Sequence, residues 1–129
     1  MLNMKTVLYW AVFSSKTLGM KLSLKIENTE YTFTLYPLET QFNRIAGIYT
    51  FFIIPDTRHP ASDIQQYSFL YLGITNNFQS RLRQHHKIKQ ALELGMTHIG
   101  ILKISSARKR KNLERKLLKN YNPPLNQTW

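Results

Sequence analysis

Ile45-Ala46-Gly47-Ile48-Tyr49-Thr50-Phe51-Phe52-Ile53-Ile54, followed after an insert by Ser68-Phe69-Leu70-Tyr71-Leu72-Gly73-Ile74, is the stretch that decides the fold. Each run is nearly continuous in apolar, β-branched and aromatic residues, the pattern of a buried strand. Pro55-Asp56 closes the first. From Pro55 to Tyr67 the chain carries two Pro, two Asp, Arg58 and His59, which reads as an extended loop joining two antiparallel strands. A third strand is expected over Thr97 to Ile104, after a helical stretch that Gly95 ends.

Towards the N-terminus, residues 5 to 13 form an apolar run that reads as a strand, with a short helix as the other reading, and Ser14 to Gly19 as a turn. From Lys21 the pattern alternates. Leu22, Leu24 and Ile26 share one face, Glu27-Asn28-Thr29-Glu30 turns the chain, and Tyr31, Phe33 and Leu35 alternate again, the mark of a hairpin with one buried face.

Towards the C-terminus, Thr75-Asn76-Asn77 offers caps for a helix that puts Phe78 and Leu82 on its core side, bends near His86 and continues through Ile88, Leu92 and Leu94. A second helix starts at Ser105-Ser106 and stops near Tyr121, before Pro123-Pro124, with Leu113, Leu117, Leu118 and Tyr121 as its apolar stripe. The order is β-β-α-β-α with an N-terminal β addition, an α+β domain. Residues 1–44 form a β-rich extension packed on a core of residues 45–129.

The chain is 129 residues long, enough for one core. Its net charge is +11, and residues 75 to 129 hold 12 of the 18 Lys and Arg with only two acids, Glu93 and Glu114. A basic half joined to a near-neutral half suits a protein that neutralises phosphates, with a solvated basic surface or an anionic membrane as the plainer readings. No apolar run is long enough to span a bilayer. Residues 7 to 13 lack the small-residue cleavage site of a secretory segment. Without cysteine there is neither a disulfide framework nor a thiolate zinc site, which fits a cytoplasmic setting.

Arg81 and His85 lie four residues apart and share a helix face, where a guanidinium and an imidazole could hold a phosphate oxygen and a leaving group or water. The plainer reading makes both ordinary surface, as it does His59, His86 and His98. Glu114 borders the apolar stripe of the last helix, and an inward carboxylate calls for a cation or a metal. An intrahelical ion pair with Arg110, or with the Lys side chains that flank the Leu residues, would satisfy it equally. Two-metal phosphodiester chemistry needs several convergent carboxylates; this half offers one, which favours a single metal. Pro55-Asp56 with Glu114-Arg115-Lys116 also spells a PD…ExK pattern, but that pattern wants its acid and lysine on a strand. Tyr49 and Tyr71 fall on neighbouring strands. Each phenol, with an ordinary pKa near 10, could serve as a base only if cations favour the phenolate, and core packing is the plainer role.

With these residues assembled, the chain resembles the GIY-YIG endonuclease superfamily over roughly residues 45 to 126. Gly47-Ile48-Tyr49 matches the first motif and Tyr71-Leu72-Gly73 the second, with Leu for Ile. Arg81 falls eight residues after Gly73, where the family carries its catalytic arginine, and His85 follows in a similar context. Glu114 resembles the family's metal-binding glutamate and Asn126, in Pro123-Pro124-Leu125-Asn126, its terminal asparagine. The chain departs from the pattern in the 21 residues between Tyr49 and Tyr71, a longer insert than usual that suggests a substrate-contacting insertion, and in Ile74, where many members have Lys.

The resemblance implies a three-stranded antiparallel sheet flanked by helices, carrying the N-terminal hairpin, and a DNA endonuclease with one divalent metal, Mg²⁺ or Mn²⁺, on Glu114. Tyr49 would activate or position water, Arg81 would stabilise the charged transition state, Tyr71 and His85 would assist in proton handling or positioning, and Asn126 would brace the site. Arg83, Lys87, Lys89, Arg108, Lys109, Arg110, Lys111 and Arg115 would contact nucleic acid. DNA is the expected partner, with no membrane and no small-molecule cofactor; a homodimer is one route to specificity. Restriction, homing, mobile-element, phage and branched-DNA nucleases all use such a scaffold. A non-catalytic nucleic-acid-binding module and an RNA-cleaving enzyme are the alternatives.

Overall fold

The structure, a computed structural model, describes residues 6–10, 20–55, 64–83 and 85–127. The turn expected at 14–19, and Asp56, Arg58 and His59 of the insert, lie outside the described residues. The strands are β1 Thr6–Trp10, β2 Met20–Ile26, β3 Thr29–Pro37, β4 Gly47–Ile53, β5 Ile64–Thr75 and β6 His98–Lys103. The helices are α1 Phe78–Arg83, α2 His86–Glu93 and α3 Ala107–Tyr121, followed by a 3₁₀ turn at Pro124–Asn126.

All six strands among the described residues belong to one sheet, ordered β1-β5-β4-β6-β3-β2, in which every neighbouring pair is antiparallel. The three strands expected for the core, β5, β4 and β6, are adjacent, but the sheet does not stop with them. The N-terminal hairpin joins it edge to edge, Thr34 to Pro37 of β3 pairing with Ile101 to His98 of β6. The expected loop is also shorter, because β5 begins at Ile64, where it pairs with Trp10 of β1. Gln65 and Gln66 carry no strand signal of their own; pairing with β1 makes them strand.

The hairpin follows its alternation. Leu22, Leu24, Phe33 and Leu35 are buried, and Glu27, with φ 55°, opens a two-residue turn that brings Ile26 opposite Thr29. Strand β4 is buried on both faces from Gly47 to Phe52, as a central strand between helical layers requires. Ile48 and Phe52 pack in the cluster that holds Leu113 and Leu117 of α3. Tyr49 and Phe51 pack in the other, with Phe78 and Leu82 of α1 and Ala91 of α2.

A β-bulge in β5 decides which face Tyr71 occupies. Phe51 pairs with Tyr71 but Phe52 pairs with Phe69, so Leu70 is the extra residue. Phe69 packs with the α3 cluster, whereas Leu70 and Tyr71 pack with the α1–α2 cluster. Strict alternation from Phe69 would have put Tyr71 on the α3 side. The bulge turns it to the side that Tyr49 faces.

Asn77 caps α1, its Oδ1 accepting from the Ser80 N–H at 3.4 Å. The helix breaks before His86, at the expected bend, and α2 resumes with His85 as its N-cap. Helix α3 starts with Ser106, whose hydroxyl accepts from the Lys109 N–H, and ends at Asn122, in left-handed conformation with φ 48°, ahead of Pro123-Pro124. Among the described residues no helix is long and apolar enough to cross a membrane.

Candidate active site

Tyr49 is fully buried on the middle strand, and the sequence around it makes room for its ring. A Cβ on Gly73, its partner on β5, would overlap the Tyr49 hydroxyl and ring. A Cβ on Gly47 would overlap the Leu102 carbonyl of β6 and crowd Phe78 of α1. Both glycines are thus required by close approach rather than by backbone conformation.

The Tyr49 hydroxyl lies 2.6 Å from Nε2 of His85 and accepts from Nε of Arg81 at 3.2 Å. His85 is only 6% exposed. Its imidazole is walled by the rings of Tyr49, Phe51 and Tyr71 at centroid distances of 5.4, 5.6 and 5.3 Å, with His86 stacked on it. That enclosure, helped by the positive charges of Arg81, His86 and Lys87, lowers its pKa from 6.5 to about 4, so the ring is neutral at pH 7.

The backbone then fixes the tautomer. The Lys87 N–H in the first turn of α2 donates to Nδ1 of His85 at 3.0 Å. A neutral ring with an acceptor at Nδ1 carries its proton on Nε2, which donates to the Tyr49 oxygen. The phenol oxygen therefore receives two donors, from His85 and from Arg81, and its own proton is directed to neither. Both His85 nitrogens are engaged, so the imidazole holds Tyr49 rather than a phosphate.

Burial, the largest influence, pushes the Tyr49 pKa well above the ordinary phenol range against the lowering pull of Arg81. The Tyr71 phenol is also raised by burial, with Arg81 opposing and the Glu114 charge adding to the rise. Arg81 is exposed apart from these hydroxyls, which leaves donors for a ligand.

Glu114 is half-buried on α3 and near enough to act on Tyr71. Burial raises its pKa, while Lys111 and Arg115 pull the other way. The ion pair with Arg110 is not formed. Arg110 is 8% exposed and its Nη1 donates to the carbonyls of Ile104 and Ser105 at 3.0 and 2.9 Å, bracketing the turn from β6 into α3. Among the described residues nothing hydrogen-bonds the Glu114 carboxylate, and no group of three or more His, Asp or Glu converges on a metal position. A carboxylate with no hydrogen-bond partner among the described residues could give one ligand to a hard divalent cation such as Mg²⁺, which keeps several waters.

Asn126 is placed by the 3₁₀ turn beside β5. Its Oδ1 accepts from the Leu72 N–H and its Nδ2 donates to the Leu72 carbonyl, both at 2.8 Å. Both ends of its amide are spent on the residue between Tyr71 and Gly73, which makes Asn126 a brace rather than a group that touches a substrate. Arg83, Lys89, Arg108, Lys109, Lys111 and Arg115 are exposed and Lys87 is partly so. Arg110 differs from the other bases expected to meet nucleic acid, because it is turned inward.

Two contributors were missed in the sequence. Phe51 walls His85, and its position two residues after Tyr49 on the same strand face was the available signal. The Lys87 N–H had no signal beyond the helix break. Comparisons with family models, with curated proteins and with solved structures found no match to this chain.

Proposed function

We propose that this chain is a metal-dependent endonuclease on the GIY-YIG plan, hydrolysing phosphodiester bonds in DNA. The observation that carries the reading is the contact between Arg81 and Tyr49 on the face that also holds Tyr71. A guanidinium anchored through Nε on a buried phenol keeps its other donors for phosphate oxygens, the geometry that stabilises charge developing in phosphoryl transfer. His85 holds the Tyr49 ring and, with Arg81, offers donors to its oxygen should the phenol give up its proton. Tyr71 lies beside Tyr49 and feels the Glu114 charge, and Asn126 fixes the strand that carries Tyr71. Glu114 would hold the divalent ion, which supplies positive charge at the phosphate and lowers the pKa of bound water.

Supercoiled plasmid incubated with Mg²⁺ or Mn²⁺ tests this reading. Wild type is expected to nick it, and Glu114→Ala or Arg81→Ala to leave it closed. Equal cutting by Glu114→Ala, or no nicking of any nucleic acid by wild type, overturns the proposal; salt-sensitive binding without turnover would then leave a binding module.

A further inference from the structure

The sheet face that carries Tyr49 also borders a concavity away from the Arg81–Tyr49 contact. A cleft of about 620 Å³ opens between the loop after β3 and helices α1 and α2. Phe78 and Leu82 turn the core side of α1 to the sheet. Gln79 and Arg83, four residues apart on one flank, line the cleft, whereas Arg81 projects from the other flank. The width of a helix, about 10 Å, therefore separates the cleft from the Arg81–Tyr49 contact, a span of about three stacked nucleotides at roughly 3.4 Å each.

Its lining has two characters. Phe42, Leu82, Met96 and Ile99 are apolar, and Leu38 and Leu92, the large apolar residues left exposed among those described, both lie at it. Phe42 is held edge-on by Tyr36 at 5.4 Å and 87°, which fixes the ring as a platform. Gln41, Asn43 and Gln79 add carboxamides, Arg83 is the one charge among the lining residues, and no acid is present. The Gln79 Oε1 is held by Nε of Arg44 at 2.9 Å, which leaves its NH₂ as donor.

We infer that this cleft receives an unpaired nucleobase of the strand whose phosphate lies at Arg81, an inference that rests on the nucleic-acid reading above. A base has flat apolar faces and edges lined with donors and acceptors. The ring and aliphatic groups suit the faces, carboxamides offer both donor and acceptor to the edges, and Arg83 suits the flanking phosphate. An amphipathic peptide helix would need an apolar strip and would gain little from the three carboxamides.

The test is NMR of the full chain in EDTA, where no cleavage occurs, with a short single-stranded oligonucleotide and an abasic strand of equal length as probes. The side-chain amides of Gln41 and Asn43 and the methyls of Ile88 and Leu92 are expected to shift with the first probe and not with the second. Asn43→Ala and Leu92→Ser, both at exposed positions, are expected to weaken binding of the base-bearing strand about tenfold and leave the abasic strand unchanged. Equal shifts with both strands, unaltered affinity in both variants, or a response of the cleft to an amphipathic peptide alone would overturn it. A cleft that responds to bases in a protein that never nicks DNA would sustain this inference and sink the cleavage reading; efficient nicking with a silent cleft would do the reverse.

Discussion

The Tyr49 hydroxyl and the His85 imidazole meet at 2.6 Å inside a box of aromatic rings, and the Lys87 N–H at the far nitrogen decides which of the two donates. Because Nδ1 is an acceptor, Nε2 holds the proton. Nitrogen-15 NMR at pH 7 is expected to show His85 as the neutral Nε2–H tautomer. A protonated Nδ1, or a charged ring, would contradict it.

The same burial sets a pH dependence. The folded-state pKa of His85, about 4, lies below the 6.5 of the unfolded chain, so between these values the unfolded state binds the extra proton. The His85 contribution to stability is therefore full above pH 6.5 and is lost as pH falls towards 4. Denaturant midpoints measured across this window are expected to fall less steeply in His85→Gln than in wild type.

Glu114 has the opposite sign. Burial raises its carboxyl, so its ionised form is a liability above the ordinary carboxylate range when no cation is bound. Glu114→Gln is expected to raise Tm at pH 7 in EDTA by about 2 °C, a small effect because the group is half in solvent. Mg²⁺ is expected to raise the Tm of wild type and not of the variant, as calorimetry with and without the ion will show.

Arg110 and its helix neighbours separate structure from recognition. Arg110→Ala removes two charge-assisted bonds from a buried guanidinium to the Ile104 and Ser105 carbonyls and is expected to cost about 1.5–3 kcal/mol, leaving the salt dependence of DNA binding unchanged. Arg108→Ala and Lys111→Ala, at exposed positions, are expected to keep their stability and each reduce the salt slope by about one. Urea denaturation and salt titrations of affinity check both halves.

Asn126→Ala strips the partner from a backbone N–H and carbonyl of Leu72 and is expected to cost about 1–3 kcal/mol. Asn126→Asp keeps an acceptor for the N–H and loses the donor to the carbonyl, so urea midpoints are expected to place it below wild type as well.

Local signals carried much of this fold. Alternation gave the β2–β3 hairpin, unbroken apolar runs gave β4 and the second half of β5, and Ser106 and Pro123-Pro124 bounded α3. Pairings between distant segments left no such trace: nothing in Gln65-Gln66 announces a strand completed by β1, and nothing in Tyr36 announces β6 as its neighbour. The bulge at Leu70 was hidden because every residue around it is apolar or aromatic. Of the candidate residues, Tyr49, Tyr71, Arg81 and His85, which the structure brings together, were legible as residue types at fixed spacings. The burial of His85 was not, since it follows from three rings on two strands, and the inward turn of Arg110 was masked by a run of identical charges.

Single-turnover strand cleavage with Mg²⁺ present, alongside binding in EDTA, tests most directly whether the Tyr49–Arg81 contact is a phosphodiesterase centre. Arg81→Ala and Tyr49→Phe are each expected to lower the cleavage rate by about 100-fold or more while affinity for uncleaved DNA stays within about threefold. Rates that stay at the wild-type level in both variants, with binding intact, would contradict it.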